Sequence, residues 1–124
     1  MGREKNEIGR LGEKIALDFL KAKGYRVMSR NFRTPFGELD IIARRGEATV
    51  FIEVKTRSTS SLGPGFLSVT RIKQAHLIKN ALCYLKRHGR VNTDWRIDVI
   101  SVKLNEGLKL EKIEHIENAV EDIY

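Results

Sequence analysis

The strongest structural signal in this sequence is a pair of β-prone segments that flank a short turn within residues 37–57. The second segment, residues 48–56, is rich in β-branched and aromatic residues, and Arg45-Gly46-Glu47 in front of it is typical of a turn. Because alternate residues of a strand point to opposite faces of a sheet, a shift of one residue would bury the wrong side chains. The two segments therefore predict a β-hairpin with a well-defined pairing.

Alternation within this hairpin separates polar from apolar side chains. In the first strand, Asp40 is expected on the face opposite three apolar residues: Leu39, Ile41 and Ala43. In the second strand, Glu53 and Lys55 are expected on the face opposite a second apolar set: Val50, Ile52 and Val54. When the apolar faces are matched, Asp40 and Glu53 become neighbours, provided that the turn is centred on Gly46 and Glu47. The pattern thus brings two carboxylates and one lysine together.

Two carboxylates and a lysine on one sheet face admit two interpretations. Converging carboxylates repel each other, which raises the pKa of one of them or favours a divalent cation that neutralises both. Oxygen ligands with open positions suit Mg²⁺, and a neighbouring lysine can orient or deprotonate an attacking water or stabilise charge on phosphorus. The alternative is a surface salt bridge from Lys55 to Glu53 or Asp40 on a solvated face. The Glu-X-Lys motif alone does not decide between them.

The rest of the chain predicts helices before and after this hairpin. Eight elements are expected: a helix over residues 6–23, strands over 25–31, 38–44 and 48–56, a helix over 69–88, strands over 95–102 and 108–113, and a helix over 116–124. The order α-β-β-β-α-β-β-α is typical of a mixed α/β fold whose helices cover a central sheet. We expect a single domain over residues 1–124, with a flexible Ser- and Gly-rich loop at 58–68 and a C-terminal extension at 105–124.

The two long helices carry specific packing predictions. Gly9 and Gly12 lie inside the first helix, where each costs roughly 1 kcal/mol relative to Ala. We interpret both as points of close packing against a neighbouring element, rather than as points of contact with a nucleic-acid backbone. The expected buried stripe of the second helix consists of Ile72, Ala75, Ile78, Leu82 and Leu85.

The chain is strongly basic. It has 23 Lys and Arg residues against 16 Asp and Glu residues, which gives a formal net charge of +7. A polyanion such as nucleic acid is the default partner of such a chain, although surplus lysines can also serve solubility alone. The single Cys83 excludes an internal disulfide. No apolar run approaches ~18 residues, so we expect no membrane span, no signal peptide and a cytoplasmic location.

Motifs spread along the chain resemble those of a known family, YraN. They occur in this order: Gly12-Glu13, Gly37-Glu38-Leu39-Asp40, Phe51-Ile52-Glu53-Val54-Lys55-Thr56-Arg57, Lys73 and Arg96-Ile97-Asp98-Val99. The YraN family is similar to archaeal Holliday-junction resolvases within the restriction-endonuclease-like superfamily. The resemblance runs from the first helix to the fourth strand and weakens after Leu104. It implies a restriction-endonuclease-like core and a Mg²⁺ or Mn²⁺ cofactor.

The resemblance also implies roles for individual residues. The implied metal ligands are Glu13, Asp40, Glu53 and the main-chain carbonyl of Val54. The implied catalytic residues are Asp40, Glu53 and Lys55, with Lys55 as the catalytic lysine. Glu38 would support this group through hydrogen bonding or the local turn. The role of Glu13 depends on the resemblance alone, because a helical glutamate is ordinarily solvated.

Further residues are candidates for contact with nucleic acid. The candidate phosphate contacts are Arg30, Arg33, Arg57, Arg71 and Lys73. Phe66 in the loop is the better candidate for stacking on a base, whereas Trp95 is expected in the core. Arg96 and Asp98 are expected to form a structural pair. The three histidines have no metal-ligand spacing, and we interpret each as incidental: His76, His88 and His115.

These observations support three functional hypotheses. The first is a Mg²⁺-dependent endonuclease that hydrolyses phosphodiester bonds in DNA, with junctions or branches favoured because the chain contains no recognised base-reading module. A resolvase-like activity on two strands would need a C2 homodimer, which the resemblance alone implies. The alternative is a non-catalytic nucleic-acid-binding module in a DNA repair or processing complex. The third option is an RNA-directed enzyme or ribosome-associated factor, because the net charge suits RNA equally.

Overall fold

A computed structural model of the chain describes residues 2–58 and 71–120, with side chains from residue 7 onward. Two helices and five strands occur in these ranges: α1 (Gly2–Ala22), β1 (Arg26–Thr34), β2 (Gly37–Arg45), β3 (Ala48–Ser58), α2 (Arg71–Arg87), β4 (Trp95–Leu104) and β5 (Leu110–Ile116). The five strands form one sheet, and the two helices pack on its opposite faces. The predicted mixed α/β fold with a sheet flanked by helices is confirmed. Neither described helix combines the length and the apolar character that a membrane span requires.

The strands follow the order β1-β2-β3-β4-β5 across the sheet. β1, β2 and β3 form an antiparallel meander, in which Arg45 pairs with Ala48 and so centres the turn on Gly46 and Glu47 as predicted. β3 and β4 are parallel, and α2 lies in the crossover that a parallel pair requires. β5 pairs with β4 in the antiparallel sense. The strand that carries Glu-X-Lys is therefore the central one.

Each face of the sheet has its own buried apolar cluster. The cluster beneath α1 contains Ala16, Leu17, Leu20, Tyr25, Ile41, Ala43, Val50, Ile52, Ile100, Val102 and Leu104. The cluster beneath α2 contains Leu39, Ile42, Phe51, Leu77, Ile78, Ala81, Tyr84, Leu85, Ile97 and Val120. Val50 and Ile52 thus oppose Phe51 across β3, as alternation predicts. Each large buried side chain contributes about 1.5–3 kcal/mol, so these clusters hold the helices on the sheet.

Strict alternation fails at one point of β2, next to the predicted site. Leu39 packs against α2, whereas Ile41 packs against α1, so the prediction that they share a face is wrong. In β1, Asn31 lies between the partners of these two residues and has a φ of 50°, a left-handed conformation that Asn tolerates well. Asp40 sits at this change of face. The ladder between β2 and β3 begins only at Ile41 and Ile52, so Asp40 lies just beyond its end.

The end of the chain differs from the prediction. The expected closing helix over residues 116–124 does not form in its described part, because Ile116 ends β5 and residues 117–118 form a turn. The backbone here bonds to β4 instead: Asn118 N–H donates to the Asp98 carboxylate and Ala119 N–H donates to Ile97 O. Most of the predicted loop at 58–68 lies outside the described residues, and Ser58 itself ends β3.

The two helix glycines have different surroundings. A Cβ on Gly12 would lie 1.9 Å from the Thr56 hydroxyl oxygen, so the predicted close packing of α1 against β3 is confirmed there. A Cβ on Gly9 would meet nothing within 4 Å, so the packing prediction is wrong for Gly9. In α2, Ile78 and Leu85 are buried as predicted, but Ile72 at the first turn is 72% exposed. The buried stripe of α2 therefore begins later than its periodicity suggested.

Candidate active site

A cleft of about 690 Å³ opens where β2 and β3 separate, beside the first half of α1. Its walls comprise Ile8, Gly9, Arg10 and Glu13 of α1, Glu38 and Asp40 of β2, and residues 54–58 of β3. Two of the predicted catalytic residues, Asp40 and Lys55, line this cleft. The third, Glu53, bonds to both of them from a position that is only 8% exposed. The hairpin register therefore brings the predicted group together.

Asp40 and Glu53 form a carboxyl pair that holds a proton. Burial, followed by the charge of Glu53 and a hydrogen bond to it, raises the pKa of Asp40 from 3.8 to about 8. The Val54 N–H donates a 2.8 Å hydrogen bond to Asp40 Oδ2, which opposes this rise without cancelling it. Two buried carboxylates this close cannot both ionise cheaply, as the sequence pattern indicated. At neutral pH the pair is therefore protonated or neutralised by another cation.

Two lysines approach Glu53 from different elements. Lys73 of α2 places its ammonium 3.0 Å from Glu53 Oε2, and Lys55 of β3 places its own 3.6 Å from the same oxygen. Burial and a hydrogen bond with Lys73 lower the pKa of Lys55. Burial also lowers the pKa of Lys73, but the hydrogen bond with Lys55 and the charge of Glu53 outweigh it, so the Lys73 pKa is raised. Lys73 therefore keeps its proton and its positive charge to a higher pH than Lys55 does.

Glu13 lies near this pair but is held by β1. Its carboxylate oxygens lie 3.5 Å from an Arg30 guanidinium nitrogen and 3.3 Å from Asn31 Nδ2. Its charge still contributes to the raised pKa of Asp40. The same Asn31 amide donates a 3.2 Å hydrogen bond to Glu38, so one side chain links two of the predicted carboxylates. Asn31 therefore sets the spacing between Glu13 and Glu38, which together form the acidic wall of the cleft.

The donor atoms of the cleft fit a divalent cation with fewer side chains than the resemblance implies. Among the described side chains, those of residues 7–58 and 71–120, no group of three or more Asp, Glu, His or Cys is arranged to hold an ion. Asp40 and Glu53 are nevertheless a converging pair of hard oxygen donors. The N–H and C=O of one strand residue point to the same edge, so the Val54 carbonyl also points toward Asp40. These three groups fit Mg²⁺ or Mn²⁺, whereas Glu13 is paired elsewhere.

The predicted phosphate contacts fall into two groups. Arg30 and Arg33 of β1 pair with carboxylates of the acidic wall, at 3.5 Å to Glu13 and 3.3 Å to Glu38. Arg57 lines the cleft, and Arg71 is exposed at the start of α2. Lys73 contacts Glu53, as described above. Trp95 lies edge-on to Phe51 with ring centroids 6.1 Å apart, as a core residue would, and Phe66 lies outside the described residues.

A second polar cluster is buried on the α1 side of the sheet, around Asp98. Arg96 Nε and His115 Nε2 donate hydrogen bonds of 2.9 and 2.8 Å to its carboxylate, which is fully buried. Burial alone would raise the pKa of Asp98, but the hydrogen bonds from His115 and Arg96 lower it below the ordinary value. Lys23 Nζ lies 3.2 Å from His115 Nδ1, a pattern that a neutral imidazole with its proton on Nε2 satisfies. Arg96 also donates to the Tyr25 hydroxyl at 2.7 Å.

This cluster confirms one prediction and corrects another. The structural pair of Arg96 and Asp98 is present. His115 is not incidental, because it anchors the buried carboxylate and its side chain is only 3% exposed. The sequence did contain a signal for this role, because His115 follows Ile113 by two residues in β5 and strand alternation places both side chains on the inward face. Asn31 and the contact of Lys73 with Glu53 had no comparable signal, since both depend on pairing between elements distant in sequence.

Comparison with known proteins gives a consistent family assignment. The model of a family described as "Uncharacterised protein family UPF0102" matches residues 12–102. A UPF0102 protein of Thermodesulfovibrio yellowstonii is 49% identical over 116 residues, which cover 91% of this chain and 95% of the relative. A UPF0102 protein of Geobacter metallireducens is 40% identical over 124 residues and the full length of both chains. These matches confirm the resemblance to YraN, because YraN and UPF0102 are names of the same family. The chain belongs to the UPF0102 family.

Proposed function

We propose that the protein is a Mg²⁺- or Mn²⁺-dependent nuclease that hydrolyses phosphodiester bonds in DNA. The observation that carries this proposal is the convergence of the Asp40 and Glu53 carboxyl groups beside two lysines at an open cleft. A buried carboxyl pair is unfavourable for stability unless it is neutralised, and such pairs occur where chemistry requires them. Lysines at the same point suit a reaction that builds negative charge on phosphorus.

The bound cation would be held by Asp40, Glu53 and the Val54 carbonyl. When bound, it would neutralise the two carboxylates and withdraw electron density from the scissile phosphate. The hydrogen bond from Val54 N–H fixes the orientation of Asp40, so the carboxylate is presented without reorganisation. Because Glu13 is paired with Arg30, we assign it to the wall of the cleft and to the local potential, rather than to the ion itself.

Lys55 is assigned to proton handling during hydrolysis. The pKa of Lys55 is lowered, and in its neutral form the amine would accept a proton from the attacking water as a new P–O bond forms. The bond to the leaving sugar oxygen breaks in the same step, and that oxygen takes up a proton from solvent. Lys73 keeps its charge and holds Glu53 at 3.0 Å, which stops the carboxylate from rotating away. The two lysines therefore have different roles: Lys55 transfers a proton, and Lys73 positions the Glu53 carboxylate.

Branched or junction DNA is the proposed substrate, with DNA favoured over RNA. The support is the basic net charge together with the resemblance to junction resolvases. Such a substrate has two strands to cut, so a C2 homodimer would place one cleft on each strand.

The test is a cleavage assay with a matched set of nucleic acids. A labelled four-way junction, a nicked duplex, single-stranded DNA and an RNA hairpin are incubated with Mg²⁺ or Mn²⁺. We expect cleavage of the junction that falls at least about a hundredfold in Glu53→Gln and in Lys55→Met. The matched control is Lys86→Met, which removes a lysine from the last turn of α2. Equal cleavage by the Glu53 and Lys55 variants would reject this site as the source of activity.

A second candidate function is a non-catalytic nucleic-acid-binding module in a DNA repair or processing complex. The observation that favours it is the charge compensation already present: Lys73 pairs with Glu53, and Arg30 pairs with Glu13. A site neutralised by its own cations can retain its shape without binding metal. Tight junction binding without cleavage, with either metal and with freshly purified protein, would support this module and contradict the nuclease.

A further inference from the structure

The tip of the β1–β2 hairpin presents an exposed aromatic ring close to the cleft. Phe36 follows Pro35 in the two-residue turn between Thr34 and Gly37, and its side chain is 45% exposed. Slightly less than half of the ring is therefore open to a binding partner, and the chain itself covers the rest. Phe36 lies four residues before Asp40 on the same polypeptide segment, which limits their separation to about 13 Å.

The backbone that carries this ring is firmly anchored. The Phe36 N–H donates a 3.0 Å hydrogen bond to the Thr34 hydroxyl oxygen, and that hydroxyl donates to the side-chain oxygen of Asn80 in α2. Asn80 is only 2% exposed, so the hydrogen bond from Thr34 ties the hairpin tip to a buried polar side chain. Gly37 has a φ of 136°, and a Cβ there would lie 3.4 Å from Asn80 Nδ2. The turn is rigid, yet its largest side chain remains in solvent.

A lysine lies over the ring. Lys79 of α2 places its ammonium 5.4 Å from the ring centroid, within the range of a cation–π contact. In the adjoining strand β1, the side chain of Arg33 is 86% exposed and lies 3.3 Å from the Glu38 carboxylate. α2, which contributes Lys79, contains no acidic residue. The tip therefore combines one partly exposed aromatic ring with a lysine in contact with it.

This combination matches a nucleic-acid base and its phosphates better than it matches an apolar protein surface. Bases stack on aromatic rings while neighbouring cations contact the backbone, and such stacking is insensitive to base identity. A protein partner would require a broader apolar patch than one ring beside a lysine offers. A base can reach the ring only when it is unstacked from its own helix, which excludes the interior of an intact duplex.

We infer that Phe36 stacks on an unpaired base at an interruption of a DNA duplex, and that this contact selects the branched or gapped substrate of the proposed function. The selection rests on the proposed nuclease, but the stacking contact does not. Because Phe36 and Asp40 belong to the same hairpin segment, the cut is expected close to the interruption.

The stacking contact is tested by binding without metal, so cleavage is not needed. A gapped duplex with 2-aminopurine at the unpaired position reports stacking through quenching of its fluorescence. We expect wild type to quench it, Phe36→Ala to abolish the quenching and to bind roughly tenfold more weakly, and Phe36→Trp to retain both. The matched control is Leu110→Ala, because Leu110 is 46% exposed on β5 at the opposite edge of the sheet. It is expected to bind and quench as wild type does.

Affinity for an intact duplex separates stacking from a general loss of fold. Phe36→Ala is expected to bind the intact duplex as wild type does. Equal weakening on both substrates would overturn the inference, as would full quenching by the alanine variant or absence of quenching by wild type. Quenching that depends on Phe36 in a protein that never cleaves would leave stacking intact and overturn only the nuclease.

Discussion

At the scale of single residues, Asp40 connects the stability of the protein to the chemistry of the cleft. It accepts a hydrogen bond from the Val54 N–H and, when protonated, donates one to the Glu53 carboxylate. Its pKa of about 8 means that the folded protein holds a proton that an unfolded chain has already released. The same proton occupies the place proposed for a divalent cation. Stability and metal binding should therefore respond together to pH.

The first prediction concerns Asp40→Asn in the absence of divalent cations. Between about pH 4 and pH 8 only the folded state keeps the Asp40 proton, so the free energy of unfolding falls as pH rises through this window and levels off above it. Asparagine has no such proton and retains an acceptor for Val54 N–H. We expect the variant to raise Tm by about 3 °C or more at pH 8 and to change it little at pH 4.

Thermal unfolding across this pH range checks that prediction, with Asp18→Asn as the control. Asp18 lies in an exposed pair with Lys14, and Asp18→Asn retains Asp40, so its stability should follow the same pH dependence as wild type. Parallel pH dependence of wild type and Asp40→Asn would contradict a proton held by the carboxyl pair.

The second prediction concerns Lys73, whose ammonium competes with a cation for Glu53. Because the Lys73–Glu53 ion pair is largely screened from water on the Glu53 side, its removal should strengthen metal binding by roughly fivefold, equivalent to about 1 kcal/mol. Calorimetric titration of Mn²⁺ into Lys73→Met measures this change. Lys73→Arg should restore wild-type affinity, and Lys86→Met should leave it unchanged. Weaker Mn²⁺ binding by Lys73→Met would contradict the competition.

At the scale of elements, the hairpin of β2 and β3 was predictable because its apolar pattern has only one register that buries both strands. Alternation along β3 is sufficient to place Glu53 and Lys55 on one face, whereas Asp40 reaches Glu53 at the change of face in β2. The change of face at Asn31 was not predictable, since it needs a left-handed residue in β1 and a matching change in β2. Sequence alternation contains no information on such paired irregularities.

Three features outside this hairpin could not be predicted from local sequence patterns. The last strand ends in a turn rather than a helix because Asp98 of β4 binds the Asn118 backbone, a contact between distant positions. The exposed Ile72 follows helical periodicity and yet lies beyond the edge of the sheet cluster. Lys73 reaches Glu53 only because the crossover helix lies over the centre of the sheet. Periodicity predicts which residues of a helix or strand share a face, whereas tertiary contacts decide which of these faces pack together.

The third prediction tests the close approach of α1 to β3. Gly12→Ala would force a Cβ to within 1.9 Å of the Thr56 hydroxyl oxygen and 2.7 Å of Thr56 Cβ, so the helix must move. We expect the free energy of unfolding to fall by about 1–3 kcal/mol, despite the better helix propensity of Ala. Gly9→Ala meets no atom within 4 Å and should be neutral or stabilising by up to about 1 kcal/mol.

Urea unfolding of the two alanine variants gives this comparison directly. The same substitution in the same helix isolates the contact with Thr56 from propensity. Equal stabilities of Gly12→Ala and Gly9→Ala would contradict tight packing at that position.

At the scale of the whole molecule, charge is distributed unevenly across the sheet. β1 forms one edge and contains Arg26, Arg30 and Arg33 without an acidic residue. β5 forms the other edge and carries Glu111 and Glu114, with Glu117 following it. A polyanion is therefore attracted toward the edge of β1 and the acid-free α2, the side that holds the Phe36 tip.

The fourth prediction concerns the buried network that joins β4, β5 and the residues that follow α1. Asp98→Ala removes the acceptor that Arg96 and His115 share, and leaves Arg96 only its longer contact of 3.5 Å with the more exposed Glu117. We expect the free energy of unfolding to fall by about 3–5 kcal/mol in urea. Glu114→Ala on the same strand pair breaks only an exposed contact with Lys112 and should cost less than about 1 kcal/mol. Similar losses in the two variants would contradict a structural role for the buried carboxylate.

If a divalent cation replaces the proton of the Asp40–Glu53 pair, binding of the metal must release that proton. Calorimetric titration of Mn²⁺ at about pH 6.5, in two buffers of different ionisation enthalpy, counts the protons released. Since the Asp40 pKa is about 8, binding should release about one proton at this pH and almost none at about pH 9.5. Asp40→Asn should bind more weakly and release no proton. Mn²⁺ binding without proton release at pH 6.5, or binding unchanged in Asp40→Asn, would contradict the exchange of a proton for a cation.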